Sequence, residues 1–242
     1  MSIPGLDSWL DTAQGRYVLD WERTQIDAAV SDVFGYKALQ IGLPQFDLLA
    51  ANRIAMRRKA GERSGDVDIV CDPRQLPFAT ASVDLVLLPH VLEFSEDPHQ
   101  ILREAERVLI PEGRVVIVGF NPLSLWGARR RLPHCPAEFP WNGDYLSVAR
   151  LKDWFKLLGL ELELAACGCY APPCSDEVWL QRWRVLDSAG GRWWKPAGGV
   201  YLLRAVKRVH GMRLIMPAWE RRRVPRKALA PVARKEIGSS ES

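Results

Sequence analysis

The alternation of apolar and polar positions changes character along the chain. Val83-Asp84-Leu85-Val86-Leu87-Leu88 is almost continuously apolar, the pattern of a parallel strand covered on both faces, and Pro89 ends it. Asp97-Pro98 then predicts a helix start. The carboxylate can cap the first turn, and the missing N–H of the proline costs nothing there. Ile101, Leu102, Ala105, Val108 and Leu109 recur at helical spacing, with Arg103, Glu104, Glu106 and Arg107 on the opposite face. Pro111-Glu112-Gly113 stops this helix. Val115-Val116-Ile117-Val118 predicts a second buried strand closing at Gly119-Phe120-Asn121-Pro122, so residues 83–122 read as one βαβ unit.

Weaker patterns flank this unit. Residues 15–34 carry Val18, Glu22, Ile26, Val30 and Phe34 at intervals of four, with Gly35 as the stop, which predicts a helix ahead of the sheet. Lys37 to Ile41 predicts the first strand. Phe46 to Asn52 predicts a short helix, Arg53 to Arg58 a second strand, and Val67 to Cys71 a third. Only 23 residues separate Gly42 from Asp66. Parallel neighbours usually need about a dozen connecting residues, so the helix before the third strand is expected to shrink to a loop. Downstream, Tyr145 to Leu158 predicts a helix ended by Gly159, and Leu160 to Tyr170 and Val200 to Val209 predict two further strands.

The stretch from Asp72 to Pro122 closely resembles the class I S-adenosylmethionine-dependent methyltransferases (methyltransferase type 11 domain). The matching residues are Asp72, Leu76-Pro77-Phe78, Ser82-Val83-Asp84-Leu85-Val86, His90-Val91-Leu92-Glu93, the Arg103-Glu104 to Leu109 helix and Pro111-Glu112-Gly113. Gly119-Phe120-Asn121-Pro122, with Gly15-Arg16-Tyr17 and Glu22, resembles more narrowly a YafS-like bacterial subfamily. The resemblance spans roughly residues 8 to 208. It implies an α/β fold, a Rossmann-like sheet with an N-terminal helix and a shortened second-strand region. With the reading of the flanking segments, this divides the chain into a helical extension over residues 1–36, the methyltransferase domain over 37–210 and, from its charge, a basic tail over 211–242.

The same resemblance implies S-adenosylmethionine as cofactor, with Gly42, Asp72, Pro73 and His90 on the cofactor side and Asp72 accepting from the adenine amino group. Against the family pattern, Gln40 stands where a carboxylate is usual, and Pro44 and Phe46 replace later glycines of the loop. An amide still forms hydrogen bonds but cannot neutralise an ammonium group, while Pro44 removes a donor and Phe46 fills space needed for close approach. The family's ribose-binding carboxylate has no clear counterpart at Arg58, the expected end of the second strand. Glu62 is the nearest candidate.

Charge is distributed unevenly. From Tyr201 to Glu236 eleven Lys or Arg face only Glu220 and Glu236, a net +9, so the remainder carries −5 within the total of +4. This composition predicts a disordered tail beyond about residue 217. It is either a solvated terminus or a means of touching phosphate on nucleic acid or acidic membrane. The opening segment has neither a basic nor an apolar leader pattern, and no run reaches the roughly eighteen apolar residues of a membrane span, so a cytoplasmic protein is expected. Five cysteines, Cys71, Cys135, Cys167, Cys169 and Cys174, read as reduced thiols. A metal centre from Cys167, Cys169, Cys174 and His134 would have none of the usual paired spacings, and no metal is expected. Trp179, Trp183, Trp193 and Trp194, interleaved with Arg182, Arg184, Arg192 and Lys195, form either a substrate-facing lid or a cap packed on the sheet edge.

Methyl transfer from a sulfonium is an in-line displacement in which alignment dominates and a base is needed only when the nucleophile must lose a proton. His90 and Asn121, directly beyond the ends of adjacent strands, are the candidates for the substrate side. Each also has a structural reading, as a satisfied histidine and as a turn-forming Asn-Pro. The expected activity is methyl transfer to a small-molecule acceptor. A non-catalytic methyltransferase-like binding protein and an RNA methyltransferase using the basic tail are the alternatives.

Overall fold

The computed structural model describes residues 5–62, 66–132, 138–174, 179–180, 182 and 197–208. The basic tail, His134, Cys135, Trp183, Trp193 and Trp194 therefore lie outside the described residues. The described residues all belong to one compact unit within Met1–Val209.

Among the described residues seven strands make a single sheet: β1 (Lys37–Ile41), β2 (Met56–Gly61), β3 (Ile69–Val70), β4 (Val83–Pro89), β5 (Leu109–Phe120), β6 (Leu160–Gly168) and β7 (Val200–Lys207), in the order β3-β2-β1-β4-β5-β7-β6. The pairs among β1 to β5 are parallel, whereas β7 runs antiparallel between β5 and β6. Strand periodicity divides the core into two layers. Leu85 and Leu87 join Val116, Val118 and Leu202 beneath helices α1 (Leu6–Leu10) and α2 (Ala13–Val30). Val86 and Leu88 join Val115, Ile117 and Leu203 beneath α3 (Pro98–Val108) and α5 (Val148–Leu157). Burial of both faces explains why β4 is apolar at every position but Asp84.

Local chemistry sets the helix ends. Asp97 accepts from the Gln100 N–H ahead of α3, Thr12 from the Gly15 N–H ahead of α2, and Ser147 from the Arg150 N–H ahead of α5. The left-handed Gly159 (φ 69°) follows α5. Asp84, inside β4, accepts from the Tyr36 and Lys37 N–H groups at 2.9 and 2.8 Å and so ties β4 to the start of β1. A side chain on Gly35 would collide with it.

The region between β1 and β3 departs from the sequence expectation. Residues 46–52 form turns rather than a helix, and the second strand lies at Met56–Gly61 instead of Arg53–Arg58. The cause is Asn52. Its side-chain N–H groups donate to the Val30 and Val33 carbonyls at the end of α2, and its oxygen accepts from the Ile54 N–H. With Ile54 buried as well, residues 52–54 are pinned as a loop and the strand begins later. Seven residues join β2 to β3, with no helix among the described ones. Mutual bonds between Lys59 and Asp68 bring the two short strands alongside: the Asp68 N–H donates to the Lys59 carbonyl and the Lys59 N–H to the Asp68 carboxylate.

Candidate functional site

The parallel strands end at one edge of the sheet. Gly42 follows β1, Glu62 follows β2, Asp72 lies two residues beyond β3, and His90 and Asn121 directly follow β4 and β5. Ligands of open α/β sheets bind outside this edge. Because the strand really ends at Gly61, Glu62 stands immediately beyond β2, where the displaced expectation had left no acidic residue.

Gly42 has φ 95°, and a Cβ there would approach Val91 Cγ2 to 2.7 Å and the Pro89 carbonyl to 3.0 Å, so only glycine fits between the ends of β1 and β4. The loop after it is closed upon itself by the buried Gln40. Its amide nitrogen lies 3.0–3.1 Å from the Gly42, Leu43 and Phe46 carbonyls as donor, and its oxygen accepts from the Leu48 N–H at 3.1 Å. Lys59 donates to the Pro44 carbonyl, and the Arg23 guanidinium lies 4.7 Å from the Phe46 ring centroid. The departures at positions 40, 44 and 46 thus belong to one self-satisfied loop. A carboxylate at position 40 would face three carbonyls without a proton to offer them. Below this loop, a cavity of about 180 Å³ is lined by Gln40, Asp47, Leu49 and the β2 residues Arg57, Arg58 and Lys59, among others. It is smaller than the roughly 300–1,000 Å³ of ordinary small-molecule pockets.

Asp72 is held in a defined orientation. Its carboxylate accepts from the Arg74 N–H at 2.8 Å and from the Arg74 guanidinium at 2.9–3.1 Å. These hydrogen bonds hold its pKa below the usual carboxylate value. Pro73, next in the chain, is buried. The segment that follows is fastened to α3: Glu104 accepts from the Leu76 N–H, and Arg107 donates to the Leu76 and Phe78 carbonyls. This is why Leu76-Pro77-Phe78 and the α3 charges occur together.

His90 occupies a different environment from the open substrate side. Only 2% of its surface is exposed, and its backbone has φ 53°. Its Nδ1 meets Glu93 Oε1 at 2.7 Å and its Nε2 meets Glu22 Oε1 at 2.6 Å. Burial opposes the charged ring, but the two carboxylates outweigh it and push the His90 pKa up to about 10. The imidazolium therefore donates from both nitrogens at neutral pH. Glu93 Oε1 also accepts from the Phe120 N–H at 3.1 Å. The remaining Glu93 oxygen and the Tyr201 hydroxyl both face Gly119, where a Cβ would lie 2.8 and 2.7 Å from them, and neither has a hydrogen-bond partner among the described residues. Burial, with Glu93 alongside, raises the Tyr201 pKa well above its ordinary value.

Asn121 is also internal. It donates to the Gly198 carbonyl at 2.9 Å and accepts from the Leu123 N–H at 3.0 Å, while its carbonyl accepts from the Ser124 hydroxyl. It joins β5 to the loop before β7 and shapes the start of α4 (Leu125–Arg130). The structure thus brings Gly42, Glu62 and Asp72 to the ligand edge but turns the polar groups of His90 and Asn121 inward. Sequence reasoning missed the partnership of Glu22 with His90. Its one signal was a carboxylate on the apolar face of a helix. Among the described residues Cys71, Cys167, Cys169 and Cys174 form no disulfide, and no metal-holding group of three or more ligands occurs.

Residues 46–117 match the family described as a methyltransferase domain. The chain is 34% identical over 157 residues to the uncharacterized protein YafS of Escherichia coli, covering 64% of this chain and 65% of that protein, just under two thirds of its length. A demethylmenaquinone methyltransferase of Thermobifida fusca is 31% identical over 125 residues, covering 47% of this chain and 52% of that one. Among solved structures, a geranyl diphosphate C-methyltransferase of Streptomyces coelicolor, in complex with Mg2+, geranyl diphosphate and S-adenosyl-L-homocysteine, superposes with a TM-score of 0.53 at 15% identity, covering 81% of this chain and 83% of that one.

Proposed function

We propose that this chain, which has the fold of the class I S-adenosylmethionine-dependent methyltransferases and matches a methyltransferase-domain family over residues 46–117, transfers a methyl group from S-adenosylmethionine to a small-molecule acceptor. The observation that carries this reading is the placement of Gly42, Glu62 and Asp72 at the carboxyl ends of β1, β2 and β3. Asp72, oriented by Arg74 and followed by the buried Pro73, accepts from the adenine amino group. Glu62 accepts from the ribose hydroxyls, and the left-handed Gly42 lets the backbone approach between them. When bound, the cofactor supplies an activated methyl group on a positively charged sulfur. The protein's part is to align donor and acceptor and exclude water.

His90 takes no proton in this scheme, because both of its nitrogens already carry one. It holds the end of β4 against α2 and β5. The acceptor is accordingly one whose nucleophile needs no histidine base. Asn121 fixes the turn into α4 and acts through position alone.

The closed loop around Gln40 favours a second reading, a methyltransferase-like protein that binds a ligand without turnover, since that loop offers no carboxylate at position 40 for the cofactor's ammonium group. Calorimetric titration with S-adenosylhomocysteine tests both. Binding should weaken by about ten-fold or more in Asp72→Ala and in Glu62→Ala, the loss of a hydrogen bond to a charged group, while stability changes by less than about 0.5 kcal/mol at these accessible positions. Absence of binding to the wild-type protein at millimolar ligand would discard the methyltransferase reading. Binding without turnover across an acceptor screen would select the second. Among the described residues no helix is long and apolar enough to cross a membrane.

A further inference from the structure

The segment from Asn121 to Leu132 has an inner and an outer face of opposite character. Inside, Trp126 is fully buried and donates to the Ala171 carbonyl, and Gly127 packs against Pro122. Arg130 is already engaged, on the Trp141 carbonyl and on Asp144 at 2.7 Å. Outside stand Leu125, Ala128, Arg129 and Leu132, at the i, i+3, i+4 and i+7 spacing that shares one helical face. The i→i−3 bonds of the Arg131 and Leu132 N–H groups carry the coil past Arg130. Leu125 is 52% exposed, Leu132 59%, and Leu123, just before the capping Ser124, 69%. Single exposed leucines are ordinary, but three on one short segment with outward arginines are not explained by packing. The segment holds three arginines and no acidic residue. Among the described residues Arg131 is exposed without an acidic partner, and the Arg129 guanidinium lies 5.7 Å from the Trp141 ring centroid.

We propose that this exposed segment, through Leu123, Leu125 and Leu132 with Arg129 and Arg131, docks on an anionic lipid bilayer surface. Leucines beside arginines match the boundary where acyl chains meet acidic headgroups: the leucines enter the apolar layer while the guanidinium groups stay with the phosphates. RNA is the poorer match, because it is held by phosphate contacts and aromatic stacking and gains nothing from exposed leucines. The +9 charge of residues 201–236 adds attraction to any anionic surface without telling lipid from RNA. The leucines make that distinction. Docking here needs no methyl transfer.

Flotation of the full-length protein with phosphatidylcholine vesicles, with and without phosphatidylglycerol, tests the proposal. Binding is expected only to the anionic vesicles. It should weaken by about ten-fold or more when Leu123, Leu125 and Leu132 are all changed to serine, and several-fold in Arg129→Gln/Arg131→Gln. Arg221→Gln/Arg222→Gln/Arg223→Gln separates the tail: the proposal requires that leucine dependence persist in that background. An unchanged unfolding temperature confirms that the exposed substitutions leave the fold intact. Failure of the wild-type protein to float, or binding insensitive to the three leucines, overturns the proposal. So does tighter, leucine-independent binding to single-stranded RNA, which would assign the positive charge to nucleic acid.

Discussion

The two sides of the sheet, meeting where β1 pairs with β4, are held by different forces. On one side every residue of β4 is buried, as are the last six of β5 and all but two of β7. On the other, the first three residues of β2 are exposed and β3 has only two residues. Stability on the first side comes from removing apolar surface from water. The second is stitched by side chains bonded to backbone: Gln40 closes residues 42–48, Asn52 ties residues 52–54 to α2, and Arg107 fastens residues 76–78. The groups proposed to meet the cofactor stand on the stitched side. A short loop there can lose its glycines and its helix while its ends stay anchored, because few of its contacts depend on deep packing.

The largest effect should come from the polar cluster within the apolar side. His90→Ala leaves Glu22 and Glu93 buried with no cation between them and is expected to cost about 3–5 kcal/mol in urea unfolding. Glu22→Ala should be severe for the converse reason. A cost near that of an ordinary surface change would show that the cluster is hydrated.

The same cluster predicts a pH dependence. The folded pKa of His90 is raised from 6.5 to about 10, so its stabilisation is complete below pH 6.5 and is lost progressively as pH rises through about 10. Urea midpoints across this window should fall in the wild-type protein more steeply than in His90→Asn. Equal slopes would refute the assignment.

Breaking the stitched side should cost less. Gln40→Ala removes the hub of residues 42–48 and is expected to cost about 2–3 kcal/mol, since each net hydrogen bond contributes roughly 1 kcal/mol. Gln40→Glu should fail to restore stability and should not tighten S-adenosylhomocysteine binding. The smallest effect belongs to Arg58→Ala. Its 3.6 Å pair with Asp68 is exposed on both partners, so a change below about 0.5 kcal/mol is expected by the same unfolding assay.

Legibility in the sequence followed the same division. Lys37–Ile41, the β4 run, the Asp97 cap and the end of β5 could be read because their signals lie within a few neighbouring residues. Met56-Arg57-Arg58-Lys59-Ala60-Gly61 could not. An exposed edge-side strand has no apolar alternation to reveal it, and its start is set by Asn52 bonding to carbonyls about twenty residues earlier. Gln40 looked like a damaged anchor in one dimension and is the organiser of its loop in three.

By itself, then, the sequence determined that this chain folds as an α/β sheet with a βαβ unit at its centre, and it pointed to the strand ends as the place to look for a ligand site. Burial patterns and helix caps are short-range, so they survive reading along the chain. Only the tertiary structure decided that Glu62 directly follows β2, that His90 is enclosed by Glu22 and Glu93, and that Leu125 and Leu132 face outward with Arg129. These depend on groups far apart in sequence, or on the side of an element left uncovered, and a buried charge becomes tolerable only where its partners arrive within hydrogen-bond distance.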